Sequence, residues 1–148
     1  MVKKAFAYVT RRLDGTKQLL VFCSPSQHVE VPKGTVEAGE DLTLAVLREL
    51  REESGIATVR VIHKIGERTT WVHGGPEMNG PMEEQRHYAY ELEAGCPVLE
   101  TWDHTVSCVG IEDGLVFRYE WRDLTIGLAD ALSNGSDHFI AALCGIKE

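Results

Sequence analysis

Paired cysteines are missing from this chain. Its four cysteines, Cys23, Cys96, Cys108 and Cys144, are widely spaced, with no C-x-x-C pair and no grouping with histidine. That argues against a disulfide framework and a zinc site, and predicts reduced, mostly buried thiols in the cytoplasm. Long apolar runs are missing too. No segment approaches the roughly 18 apolar residues of a membrane span. Met1 to Phe6 leads straight into a strand-like pattern, so no secretory leader is expected. Basic residues are scarce: 15 Lys and Arg stand against 23 Asp and Glu, a net charge of −8. A binder of extended nucleic acid would present a basic face instead. The deficit is uneven, since residues 1–74 carry 11 basic and 9 acidic groups while residues 75–148 carry 4 and 14. An acidic protein can still handle anionic phosphates if a divalent cation stands between them. Internal repeats, linkers and low-complexity segments are absent as well. The length of 148 residues suits one domain, 1–148.

What is present reads as several strands with two helices, an α+β pattern. Phe6 to Thr10 alternates, Asp14-Gly15 signals a turn, and Gln18 to Cys23 reads as the returning strand of a hairpin. His28 to Val31 is short and extended, and Lys33 to Glu40, with two glycines and no apolar period, is loop. From Asp41 the period becomes helical, and Gly55 is placed to end that helix. Strands are expected at Thr58 to Ile62 and Arg86 to Leu92, with an exposed loop over residues 73–82. A second hairpin is expected from Thr105 to Val109 and Leu115 to Trp121. The segment Ser136 to Leu143 reads as a short helix with a Ser or Asp cap.

The informative segment is Arg48-Glu49-Leu50-Arg51-Glu52-Glu53-Ser54-Gly55. At 100° per residue, Glu49, Glu52 and Glu53 share an arc of about 100° on the helix. Taken alone, such a string is more often a solvated face laced with ion pairs, Arg48 to Glu52 among them. Three carboxylates this close repel, and a hard divalent ion with oxygen ligands would compensate them. The wider pattern decides between the two. Gly34, Glu40 after five residues, Arg48-Glu49 after seven more, then Leu50, Glu52-Glu53, Gly55 and Ile56 is similar to the complete Nudix box. Average residue usage would produce all of these in a given window on the order of once in a billion.

The resemblance to Nudix hydrolases covers residues 34–56 strictly and the order of elements more loosely. It implies the Nudix fold, a mixed β-sheet sandwiched between helices, with the box as a loop–helix–loop. It implies hydrolysis of a phosphoanhydride bond in a nucleoside diphosphate linked to another moiety. It also implies that Glu49, Glu52 and Glu53 ligate Mg²⁺ or Mn²⁺, with the Gly34 carbonyl as a further ligand. Arg48 would orient Glu49, and Glu40 would brace the loop onto the helix. The chemistry agrees, because such hydrolysis needs an activated water and neutralised phosphoryl charge. Glu49 or Glu52 is a candidate base. Outside the box the candidates are Glu83 and Glu84, with Glu77 weaker, and ordinary surface charge competes with all three.

Specificity is less legible. Glu30 to Glu40, with its Pro32-Lys33-Gly34 run, looks like the approach to the box in dinucleoside polyphosphate and diphosphoinositol polyphosphate hydrolases. Lys33 is a candidate phosphate contact and Glu37 a candidate loop support. Trp71 and Trp102 are candidates to stack on a base, against the more ordinary role of packing. Arg11, Arg12 and Arg86 are candidate phosphate or ribose contacts. Markers of the ADP-ribose, diadenosine-polyphosphate, NADH and coenzyme A groups are not found. A small nucleotide is the expected partner, and family members are often homodimers. The competing readings are a nucleotide-sensing module without turnover, an isomerase on the same fold, and an RNA-decapping enzyme. The unbroken box, the absence of further isomerase motifs and the acidic second half weigh against them in turn.

Overall fold

The computed structural model describes residues 1–74, 79–95 and 99–146. Two long strands start the chain, β1 (Val2–Leu13) and β2 (Thr16–Cys23), joined through Asp14-Gly15, both at positive φ. Then come β3 (Val29–Glu30), β4 (Lys33–Thr35) and the helix α1 (Leu42–Ser54). A long ribbon follows, β5 (Val59–His73) and β6 (Met82–Ala94), and then the hairpin of β7 (Thr101–Thr105) and β8 (Val116–Asp123). A 3-10 helix (Ile126–Ala131) and a single helical turn, α2 (Ile140–Leu143), end the described chain.

The strands form one mixed sheet in the order β5-β6-β1-β2-β8-β7, with β4 added on β1 and β3 on β2. β1 and β6 run parallel; the other pairs are antiparallel. Alternation along β1 divides the interior. Ala5, Ala7 and Val9 face α1, packing with Leu20, Phe22, Ala45, Val46, Leu50 and Leu92. Phe6 and Tyr8 face the other way, toward Leu128, Leu132, Phe139, Ile140 and Leu143. Burial on both faces explains why β1 reads as a nearly continuous apolar run. The result is the expected mixed sheet between helices.

Several boundaries differ from the sequence expectation. The partner of β8 is β7 at Thr101–Thr105, not Thr105 to Val109. Residues 106–115 instead form a loop closed by Val106 N–H to Leu115 O and Gly114 N–H to Val106 O, with Val109 wholly exposed. Ladder pairing extends the 58–62 strand to His73 and the 86–92 strand over 82–94. That narrows the 73–82 loop, of which 75–78 lie outside the described residues. Lys33–Thr35, expected as loop, adds a short strand to β1. The terminal helix shrinks to α2 because Ser136 does not cap it. Its hydroxyl instead accepts from Val31 N–H at 3.1 Å, and its carbonyl accepts from Tyr8 Oη at 2.8 Å.

Candidate active site

The helix α1 is anchored at both ends before it presents any chemistry. Asp41 caps its start by accepting from Leu44 N–H at 3.1 Å. Gly55, at φ 80°, ends it with its N–H on Arg51 O. The last carbonyls, which have no partner inside a helix, take donors from β7, β8 and the loop between them. His104 Nε2 reaches Glu52 O at 3.1 Å, Tyr119 Oη reaches Glu53 O at 2.8 Å, and Trp102 Nε1 reaches Ser54 O at 2.9 Å. Ser107 N–H adds a second bond to Glu52 O. The acidic turn is thus held rigidly against the sheet.

Glu49 and Glu53 point inward, 8 % and 4 % exposed, toward β4. A Cβ at position 34 would overlap the Glu49 carboxyl group, so only glycine leaves that carboxyl its place. Glu53 Oε1 accepts from Lys33 N–H at 3.1 Å. Arg48 collects the remaining acids. Its Nε and Nη2 form a fork on Glu40 at 2.8 and 2.9 Å, and Nη2 also reaches Thr35 O at 2.9 Å. Its Nη1 donates to Glu49 Oε1 at 2.7 Å and lies 3.3 Å from Glu52. Glu40 in turn accepts from Glu37 N–H at 3.0 Å, closing the 37–40 loop.

The electrostatics follow from this packing. Hydrogen bonds from Arg48 draw the Glu40 carboxyl down to about 2. Burial lifts Glu49 to about 7 against the pull of Arg48, and burial with the charge of Glu112 lifts Glu53 well above the carboxylate range. One guanidinium therefore does not offset the acids gathered here. Glu112 is the residue the sequence did not disclose. It sits in the 106–115 loop, distant in sequence, and its charge reaches Glu53, Lys4 and Cys108. No spacing rule connects it to the box; only the β7–β8 connection carries it there.

The other predicted residues are dispersed. Lys33 lies beside the site, its Nζ 2.9 Å from Glu30 and 2.6 Å from Asn134 O. Arg11 does not join it. It stands toward the far end of β1, forked on Glu100 at 2.7 and 3.0 Å and stacked 4.4 Å over the Trp121 ring. Arg86 is bound along the ribbon to Glu67 and Thr69, and Trp71, 59 % exposed, faces Glu84 across the same ribbon. No hydrogen bond or ion pair among the described residues links Glu84 to the box glutamates, and Glu83 accepts from Gln85 instead. Trp102 stacks on Tyr119 at 5.1 Å as it caps α1, which leaves it as packing. A shallow groove beside Arg48, lined by Leu44, Leu47, Arg51 and Ile56, omits Glu49, Glu52 and Glu53 and does not mark the carboxylate site.

A glycine shelf, a capped helix and acids braced by one arginine belong to a known class. The NUDIX domain profile matches residues 3–143, and the chain belongs to that family. It is a Nudix-type hydrolase, acting on pyrophosphate bonds. No curated protein sequence matches it significantly. Among solved structures it is similar to a C. elegans Ap4A hydrolase (TM-score 0.63, 21 % identity, 98 % of this chain and 97 % of that one). It is also similar to the NUDIX domain of Shewanella oneidensis NrtR, solved with ADP ribose (TM-score 0.67, 14 % identity, 98 % and 87 %). A third likeness is the E. coli dihydroneopterin triphosphate pyrophosphohydrolase (TM-score 0.59, 14 % identity, 94 % and 92 %). At these identities the likeness is one of fold.

Proposed function

We propose that this chain hydrolyses a phosphoanhydride bond in a nucleoside diphosphate derivative with the help of a divalent cation, Mg²⁺ or Mn²⁺. The observation that carries the reading is the gathering of buried carboxyl groups on α1, Glu49 packed against Gly34 and Glu53 on Lys33 N–H, with Glu52 beside Arg48 and Glu112 acting on Glu53. Among the described residues no three acidic, histidine or cysteine side chains converge round a single point. Glu49 is turned onto Arg48 and Glu53 onto Lys33 N–H. The donor set nonetheless fits a hard ion, being all oxygen and too acidic for its own cations. Glu49, Glu52, Glu53 and the Gly34 carbonyl would hold it. Bound there, it would supply charge neutralisation on the phosphoryl oxygens and a more acidic water.

The chain's own residues do the rest. Arg48, fixed by Glu40, holds Glu49 in orientation. Glu52 is the stronger candidate to take the proton of the attacking water. Its side chain is 24 % exposed against 10 % for Glu49, and its contact with Arg48 is the longer one. Lys33 would meet a phosphate leaving that centre. Trp71, Arg86 and Glu84 would serve a substrate only where it extends along the β5–β6 ribbon. No helix among the described residues is long and apolar enough to cross a membrane. Cytoplasmic residence and a small free nucleotide substrate complete the proposal.

The test is turnover on a panel of nucleoside triphosphates, dinucleoside polyphosphates, nucleotide sugars and ADP-ribose, with products identified by mass. Glu52→Gln and Glu53→Gln should each lower turnover by on the order of a thousandfold, and chelator should abolish it. Full activity in either variant or in excess chelator rejects the proposal. Nucleotide binding without product across the panel would favour a sensing module.

A further inference from the structure

Two buried side-chain polar atoms among the described residues have no hydrogen-bond partner: Nδ1 of His87 and Nδ1 of His138. Such atoms are rare in folded proteins and call for a reason. His87, 2 % exposed, lies on β6 in register with Lys4 of β1 and Arg68 of β5, on the face turned away from α1. A short ladder sets its tautomer. Gln85 Nε2 donates to Glu83 Oε1 at 2.8 Å, which turns Gln85 Oε1 toward His87 Nε2 at 2.9 Å. That bond needs a proton on Nε2 and leaves Nδ1 a bare lone pair. Nδ1 meets the 133–138 turn at Gly135, where a Cβ would approach to 3.5 Å.

The surroundings are cationic. Burial first, then the charges of Lys33, His138, Lys4 and Arg68, press His87 down to about 4. His138 is lowered by burial too, with Asp137, 4.0 Å from its Nε2, acting the other way. Lys33 is shared with Glu30 and Asn134, whereas exposed Arg68 has no hydrogen bond or ion pair with any described residue. The rings nearby are already used: Phe6 packs on His87 at 4.7 Å and on Phe139 at 6.2 Å, and both phenylalanines are buried. Neither phenylalanine offers an open face to a base. Two imidazoles able to gain a proton, a free guanidinium and a lysine suit an oxyanion.

We propose that His87, His138 and Arg68, continued by Lys33, form a phosphoryl-anion subsite. It would take a phosphate further along the substrate than the linkage cleaved at the α1 carboxylates. Lys33 joins the two places, its N–H on Glu53 and its Nζ over the Phe6 ring. The assignment rests on the hydrolase reading and narrows the substrate class to polyphosphates. An anion bound there would accept from Arg68 and from both imidazoles once each Nδ1 has taken a proton from solvent. Binding therefore takes up protons and tightens as pH falls from 8 toward 6.

The probe is inorganic triphosphate, added to the full chain in excess chelator and followed by long-range ¹H–¹⁵N spectra of the imidazoles. Both Nδ1 resonances should move from the bare to the protonated range, and calorimetry in buffers of different ionisation heat should show proton uptake. Arg68→Gln, an exposed change that spares the fold, should weaken binding at least about tenfold, the loss of one charge-assisted bond. Imidazole signals indifferent to triphosphate, or unchanged affinity in Arg68→Gln, overturn the proposal. Glu52→Gln separates the two readings. If it loses turnover yet keeps the His87 response, both stand; if it keeps turnover, the hydrolase reading fails while the anion response is judged alone.

Discussion

Gly34 shows how much a single residue can decide here. It has no unusual φ among the positive-φ glycines, so the reason for glycine is not conformational freedom. The reason is space, because a Cβ would occupy the volume of the Glu49 carboxyl. That carboxyl ends a flexible side chain, so Gly34→Ala should leave folding almost unchanged, within about 1 kcal/mol. The Glu49 carboxyl would have to swing off its contact with Arg48. Turnover should then drop about 10- to 100-fold, the range seen when a ligand is misoriented. Thermal unfolding and kcat/KM measured on the same variant check this; equal losses in both would point to a merely structural role. At this scale the sequence was most legible. Gly34, Glu40, Arg48, Glu49 and Glu53 lie within one short run of chain, from β4 through a loop into α1, where spacing converts directly into contact. Glu112 and Arg11 were not legible, since the place of each depends on pairings made across the sheet.

The helix α1 is the element most open to sequence reasoning, because its stops are local. Asp41 and Gly55 stand one residue outside its two ends, and the structure uses both. The strands were harder. Thr101–Thr105 alternates exposed Thr101, Asp103 and Thr105 with half-buried Trp102 and His104, only one of them apolar, so its pairing with β8 outweighs a weak local pattern. That hairpin matters to the site, since His104 and Trp102 hold the end of α1. Gly55→Ala tests the connection. Alanine at φ 80° is strained by about 1 kcal/mol, and its Cβ would stand 3.0 Å from the His104 ring. The expected loss is about 1–2 kcal/mol in denaturant midpoint, with Gly55→Asn costing less because asparagine tolerates that conformation. Equal stability of the Ala and Asn variants would mean that the left-handed turn is not what ends the helix.

On the scale of the whole molecule, the parallel pairing of β1 with β6 arranges the function. It sets Lys4 beside His87 and, through β4, sets Gly34 and Lys33 at the same end of the sheet. No local signal announces a parallel pair between strands so far apart in the chain, which is why the histidine cluster could not be read from the sequence. Its electrostatics nonetheless make a prediction about the fold as a whole. His87 is held neutral when folded, down to about 4, against an ordinary 6.5 when unfolded. Between these values the unfolded chain binds the extra proton and the native one does not, so stability falls as pH is lowered through that window. At about 1.4 kcal/mol per pH unit the full effect is about 3 kcal/mol. Its burial at 2 % exposure leaves little solvent to screen it. His87→Gln has no proton to gain, so the stability of the native sequence over the variant should shrink by about that amount between pH 7 and pH 4. Urea unfolding of both proteins at matched pH reads His87 together with its coupling to His138, because distant titrating groups cancel in the difference. A gap that stays constant across the window would show that His87 titrates alike in both states. A gap that closes only in the absence of triphosphate would place the same imidazole at the anion.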